Sequence, residues 1–111
     1  MQTDYTQLTP DTVINSIESV GYWSDSRILA LNSYENRVYQ VGIEEREPVI
    51  VKFYRPNRWG VKQILEEHEF TQQLYELEIP VVPPLVIDEQ SDTPTLARFN
   101  EFHFAIYPRQ G

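Results

Sequence analysis

Val13, Ile14, Ile17 and Val20 recur at helical spacing behind Thr9-Pro10-Asp11, and together they predict a short helix over about 10–20. The threonine supplies a hydroxyl N-cap, the proline occupies a first-turn position where its missing N–H costs nothing, and the aspartate faces the positive end of the helix dipole. Gly21 can close the helix. The period then changes. Residues 27–31, 37–41 and 49–54 are short runs rich in Val, Ile, Leu and Tyr, and they read as three strands of an antiparallel meander, separated by 32–36 and 42–48. In the third run Val49, Val51 and Phe53 share one face, while Ile50, Lys52 and Tyr54 share the other.

From about residue 58 or 59 to 77 there is no proline and good helix formers dominate, so a long helix is expected there. Pro80-Val81-Val82-Pro83-Pro84 forces an extended connector. Residues 85–87 read as a fourth strand, 88–94 as a polar turn region, and 102–107 as a last strand stopped by Pro108. The order predicts an α+β fold, with helices on one side of an antiparallel sheet of about five strands.

On the long helix Ile64, Thr71 and Leu74 fall on one stripe with Phe70 and Leu77 beside it, and Glu66, Glu69, Gln72, Gln73 and Glu76 fall opposite. Glu67 lies within the apolar stripe by this reading. A carboxylate aimed at a sheet either finds a cation or bears a desolvation cost, and Lys52 is the evident partner. The alternative is that Glu67 lies at the edge of the stripe and reaches water.

Composition narrows the function classes. The 111 residues carry 17 acids and 9 bases, a net charge of -8, which disfavours nucleic acid and anionic membranes as general partners. There is no cysteine, so disulfides, thiolate metal sites and thiol nucleophiles are excluded. No apolar run approaches the roughly 20 residues of a membrane span, and the first residues lack the features of a signal peptide, so a cytoplasmic location is expected. Arg37, Arg46, Lys52, Arg55, Arg58 and Lys62 are six of the nine bases, and 48–62 contains no acid. Charge alone makes this a solvated face more readily than a phosphate site. His68 and His103 have no third ligand at metal spacing, Asp88, Glu89 and Asp92 lack the pattern of a calcium loop, and Trp23, Trp59 and the tyrosines read as packing residues.

A lysine on the third strand and a glutamate on the next helix are what a protein-kinase-like N-terminal lobe uses to hold ATP phosphates. The turn 32–36, Asn-Ser-Tyr-Glu-Asn, has no glycine and so departs from the glycine-rich loop of protein kinases. Three ordered stretches sharpen the likeness: Leu31-Asn32-Ser33-Tyr34-Glu35-Asn36-Arg37-Val38-Tyr39-Gln40, Val51-Lys52-Phe53-Tyr54-Arg55-Pro56 and Gln63-Ile64-Leu65-Glu66-Glu67-His68. With them the chain, from about Leu8 to Gly111, resembles the N-terminal lobe of the group that includes aminoglycoside phosphotransferases, choline kinases and type II homoserine kinases.

The resemblance implies an ATP-binding lobe, residues 1–111 forming one domain of a longer kinase. It assigns Lys52 to the phosphates and Glu67 to orienting Lys52. It places Ser33 and Asn36 in the nucleotide loop, Ile50 and Ile106 as walls of the adenine pocket, and Tyr107 and Pro108 on the strand leading to the hinge. The catalytic aspartate and the ligands of Mg2+ would lie in a C-terminal lobe, so no catalytic or metal residue is expected in this chain, which alone would be inactive. The implied acceptor is protein serine or threonine in a bacterial stress response. A small alcohol of the choline, homoserine or aminoglycoside type is the alternative, and a non-catalytic α+β interaction module is a third reading. An isolated lobe would expose parts of Phe104, Ile106 and Tyr107 and could self-associate there.

Overall fold

The computed structural model of the chain describes residues 7–31, 36–55 and 60–109. In them α1 (Pro10–Glu18) precedes β1 (Ser24–Leu31), β2 (Arg37–Ile43) and β3 (Arg46–Phe53), and α2 (Val61–Glu76) precedes β4 (Ala97–Phe99) and β5 (Phe102–Pro108). The strands form one antiparallel sheet in the order β1-β2-β3-β5-β4. The five-stranded α+β architecture is therefore as expected.

The start of α1 follows its sequence signals. Thr9 is extended and its Oγ1 accepts a hydrogen bond from the Thr12 backbone N–H at 3.2 Å, while Gly21, at φ +96°, turns the chain away after the helix. Val13 and Ile17 are fully buried. Thr9→Ala should lower the unfolding free energy by about 1 kcal/mol, read from urea denaturation; an unchanged midpoint would show that the cap contributes nothing.

Each face of the sheet carries its own core, and the two helices occupy opposite faces rather than one side. Val41, Val49, Val51, Phe53, Phe104 and Ile106 cluster with Leu8, Val13 and Ile17 beneath α1. Tyr54, Leu96 and Ala105 cluster with Ile64 of α2. Val51 lies opposite Ile106 in the β3–β5 ladder and Lys52 lies opposite Ala105, so these two sets point in opposite directions. The sequence carried the reason: residues 49–54 are apolar at nearly every position, as in a strand covered on both sides.

Several boundaries differ from expectation. β2 and β3 run closer together than the 42–48 separation implied, turning at Glu44 and Glu45, with Glu45 at φ 61° and Ile43 paired with Arg46. Residues 85–87 are not a strand. The proline pair at 83–84 has no N–H to offer, and this stretch meets the sheet through one bond, Leu85 N–H to the Ile106 carbonyl at 2.7 Å. The fourth strand is β4, joined to β5 by a two-residue turn in which Asn100 takes φ 56°.

α2 starts at Val61 rather than at 58 or 59, after Gly60, whose N–H donates to Gln63 Oε1 at 3.2 Å. It ends at Glu76, just before Glu78 adopts φ 66°. Its buried stripe is centred on Ile64 and His68. Relative to Ile64, His68 is rotated by about 40° one way and Glu67 by about 60° the other. Phe70 and Leu77, counted with the core from the sequence, are 59% and 72% exposed.

Candidate nucleotide site

β3 brings Lys52 onto the α2 face of the sheet, beside Val38 on β2 and Ala105 on β5. Among the described residues its ammonium meets two groups. Nζ is 3.9 Å from Glu67 Oε2 and 5.0 Å from the centroid of the Tyr54 ring, a cation–π distance. The Lys52 side chain is 24% exposed and that of Glu67 54%. The pair expected from the sequence therefore forms, but at the open surface of the sheet rather than in a core. An ion pair so exposed adds only about 0.2–1 kcal/mol to stability, so its consequence is where it holds the ammonium.

Two residues along β3, roughly 7 Å away on the same face, Ile50 borders a cleft of about 420 Å³. Leu31, Gln40, Val82, Tyr107, Pro108 and Arg109 complete its wall. Ile50 and Tyr107 are cross-strand partners, so their side chains stand next to each other on the face that lines this cleft. Ile50, Tyr107 and Pro108 thus share it. Ile106 does not: it is fully buried on the α1 face, because neighbours along a strand alternate, and it cannot line a pocket beside Lys52. Phe104 is fully buried on that same face, so neither residue supplies the exposed apolar surface expected of them. Val82, in the proline-flanked connector, was missed; it is one of two adjacent valines between Pro80 and Pro83, and nothing in that pattern says which of them faces the sheet.

Asn36 lies at the near end of the β1–β2 connection, and its Oδ1 accepts a hydrogen bond from Arg55 N–H at 3.2 Å. It fastens the entrance of β2 to the chain leaving β3, three residues past Lys52. Ser33 lies outside the described residues.

Behind the ion pair is a buried polar group that the sequence reading considered only as a metal ligand. The Tyr54 hydroxyl is hydrogen-bonded to His68 Nε2 at 2.9 Å, and His68 Nδ1 to Thr95 Oγ1 at 2.8 Å. Burial, with Tyr107 and Glu67 close by, pushes the Tyr54 phenol far above its usual range, so it remains protonated. Burial likewise holds His68 below the ordinary histidine value of 6.5, opposed by Glu67 and aided by Lys52. His103 is lowered too, by burial and Arg98. A histidine with a depressed folded value binds its proton more readily when unfolded. Its share of stability is present above about pH 6.5 and is lost as pH falls toward the folded value. Melting temperatures should therefore drop between pH 7.5 and 5.5, and His68→Gln should flatten part of that slope. An identical slope in the variant would place the dependence elsewhere.

Residues 27–111 match the phosphotransferase enzyme family (APH), and the chain belongs to that family. It is 47% identical over 104 residues to "Stress response kinase A" of Shigella flexneri, covering 94% of this chain and 30% of that protein. It is 46% identical over the same length to the protein of that name in Escherichia coli (strain K12). To "Serine/threonine protein kinase RdoA" of Salmonella typhimurium it is 45% identical, again over 104 residues. The chain thus spans about 30% of the length of these relatives.

Proposed function

We propose that the chain is the nucleotide-binding lobe of an ATP-dependent kinase acting on protein serine or threonine, the activity in the name of the Salmonella typhimurium relative, while the Shigella flexneri relative is named as a stress response kinase. The observation that carries this reading is the placement of the Lys52 ammonium, held by Glu67 and the Tyr54 ring, on the face that also forms the cleft of Leu31, Ile50, Val82 and Tyr107. The two parts fit the two halves of ATP. An apolar cleft of a few hundred Å³ suits a purine, and a cation a short distance along the same strand suits the phosphates. Lys52 would neutralise phosphate charge, and Glu67 would fix the ammonium before ATP arrives, so that little reorganisation is needed on binding. Ser33 and Asn36 are assigned to the loop over the phosphates.

ATP supplies the transferable phosphoryl group. Among the described residues no three His, Cys, Asp or Glu side chains gather in a way that could hold a metal. The ligands for Mg2+ and the catalytic aspartate are assigned, by the resemblance alone, to a C-terminal lobe. No helix among the described residues is long and apolar enough to cross a membrane, and a cytoplasmic site of action is part of the proposal.

The test is incubation of the full-length protein with radiolabelled ATP and Mg2+, offering serine- and threonine-containing proteins beside choline, homoserine and an aminoglycoside. Label on protein hydroxyls supports the proposal. Label only on a small alcohol keeps the lobe's role and replaces the acceptor, and no transfer from ATP to any of them contradicts it.

A further inference from the structure

We infer that Tyr54, His68 and Thr95 form a positioning chain that keeps Glu67 beside Lys52, an inference that rests on the nucleotide-site reading above. Three segments meet in this chain: Tyr54 follows β3, His68 is on α2, and Thr95 precedes β4. Both ring nitrogens of a nearly fully buried histidine are engaged, at 2.9 Å and 2.8 Å. A buried polar group with both partners in place holds its neighbours in one arrangement, because any slip leaves it unsatisfied in a dry setting.

The location gives this rigidity its consequence. His68 is the residue after Glu67, so fixing the imidazole fixes the turn of α2 that presents the carboxylate. Tyr54 is two residues after Lys52, and its ring lies 5.0 Å from the ammonium. The same phenol therefore touches the cation through its face and the helix through its hydroxyl. The Lys52–Glu67 contact, exposed and 3.9 Å long, is too weak to set the helix by itself. The apolar core under α2 is small, with Tyr54, Ile64, Leu96 and Ala105 as its buried members. A histidine serving only to fill that core would need neither an aromatic hydroxyl shared with the cation nor a place next to the carboxylate.

A double-mutant cycle in the full-length protein tests the inference, with conversion of MgATP to ADP and the affinity for the fluorescent analogue TNP-ATP as readouts. Glu67→Gln and His68→Leu should each lower kcat/KM for MgATP about tenfold or more, and the double variant should be little worse than either alone, because both act through one ammonium. His68→Gln, whose amide can replace one of the two hydrogen bonds, should recover much of the loss. Independent, multiplying losses would overturn the inference, as would full activity in His68→Leu. If instead Glu67→Gln alone leaves both readouts unchanged, the nucleotide-site reading beneath it fails, a pattern distinct from multiplying losses. Tyr54→Phe keeps the ring under Lys52 and removes only the hydroxyl; if His68→Leu does not fold, it takes that place in the cycle and must show the same non-additivity.

Discussion

Lys52→Ala in the full-length protein should lower ATP-dependent phosphoryl transfer by about 100- to 1000-fold, the scale on which removal of one preorganised charge-stabilising group usually acts. The fold should hardly notice. Among the described residues the ammonium meets an exposed carboxylate and the face of a ring, and losing such a pair changes stability by less than about 1 kcal/mol. The separation between the two effects is the informative part. Lys52→Arg should rescue poorly, because a guanidinium can stack on Tyr54 and pair with Glu67 but spreads its charge over a longer, planar fork and does not put a compact point charge where the ammonium sits. Kinetics and melting curves on the same preparations check this. Comparable losses of activity and stability would mean that Lys52 is a packing residue.

Phe53→Ala should do the reverse. Phe53 is the next residue on β3 but points to the α1 face, where it is fully buried. Its ring centroid lies 5.4 Å from that of Phe104, 6.2 Å from that of Phe102 and 6.1 Å from that of Tyr39, the last two in edge-to-face geometry. Truncation removes the centre of this aromatic group and leaves a cavity, which typically costs about 3–5 kcal/mol. That is a large fraction of the roughly 5–15 kcal/mol that holds a domain folded. Urea unfolding of the chain should show a midpoint shift of that size. A change below about 1 kcal/mol would mean that this face is not the principal core. Adjacent residues on one strand thus divide the two tasks, Lys52 serving the open face and Phe53 the closed one.

How far the sequence revealed this depends on the kind of signal each residue carried. α1 was legible because threonine, proline and glycine at its ends act through local geometry that tertiary contacts do not alter. β5 was legible as a run of apolar and aromatic residues broken only by His103 and stopped by Pro108. β4 was not, since Ala97, Arg98 and Phe99 make too short a segment for a period, and only Asn100, a residue that tolerates positive φ, marked the turn after it. Residues 85–87 look like a strand by composition, but Pro83 and Pro84 offer no N–H, and after Leu85 the Ile87 N–H turns to the Pro94 carbonyl rather than into the sheet.

The site divides in the same way. Lys52 and Glu67 were found because a charge among apolar neighbours demands a partner. The geometry of their meeting was not, because Phe70, Leu74 and Leu77 pulled the apparent stripe of α2 toward Glu67. The true stripe contains a histidine, whose polar ring gave no hydrophobic signal even though it is buried. Ile106 was misassigned for want of register: Ala105 and Tyr107, not Ile106, share the face of Lys52, and a shift of one residue along a strand reverses every side chain.

In the proposed function the phosphates of ATP lie against Lys52. The sequence has two lysines, Lys52 and Lys62, so a lysine-reactive acyl phosphate of ATP, applied to the full-length protein and followed by mass spectrometry of its peptides, compares them directly. Acylation concentrated on Lys52, suppressed by excess ATP and leaving Lys62 at background, is the result the account predicts. Equal labelling of the two lysines, or labelling of Lys52 that excess ATP does not suppress, would contradict it.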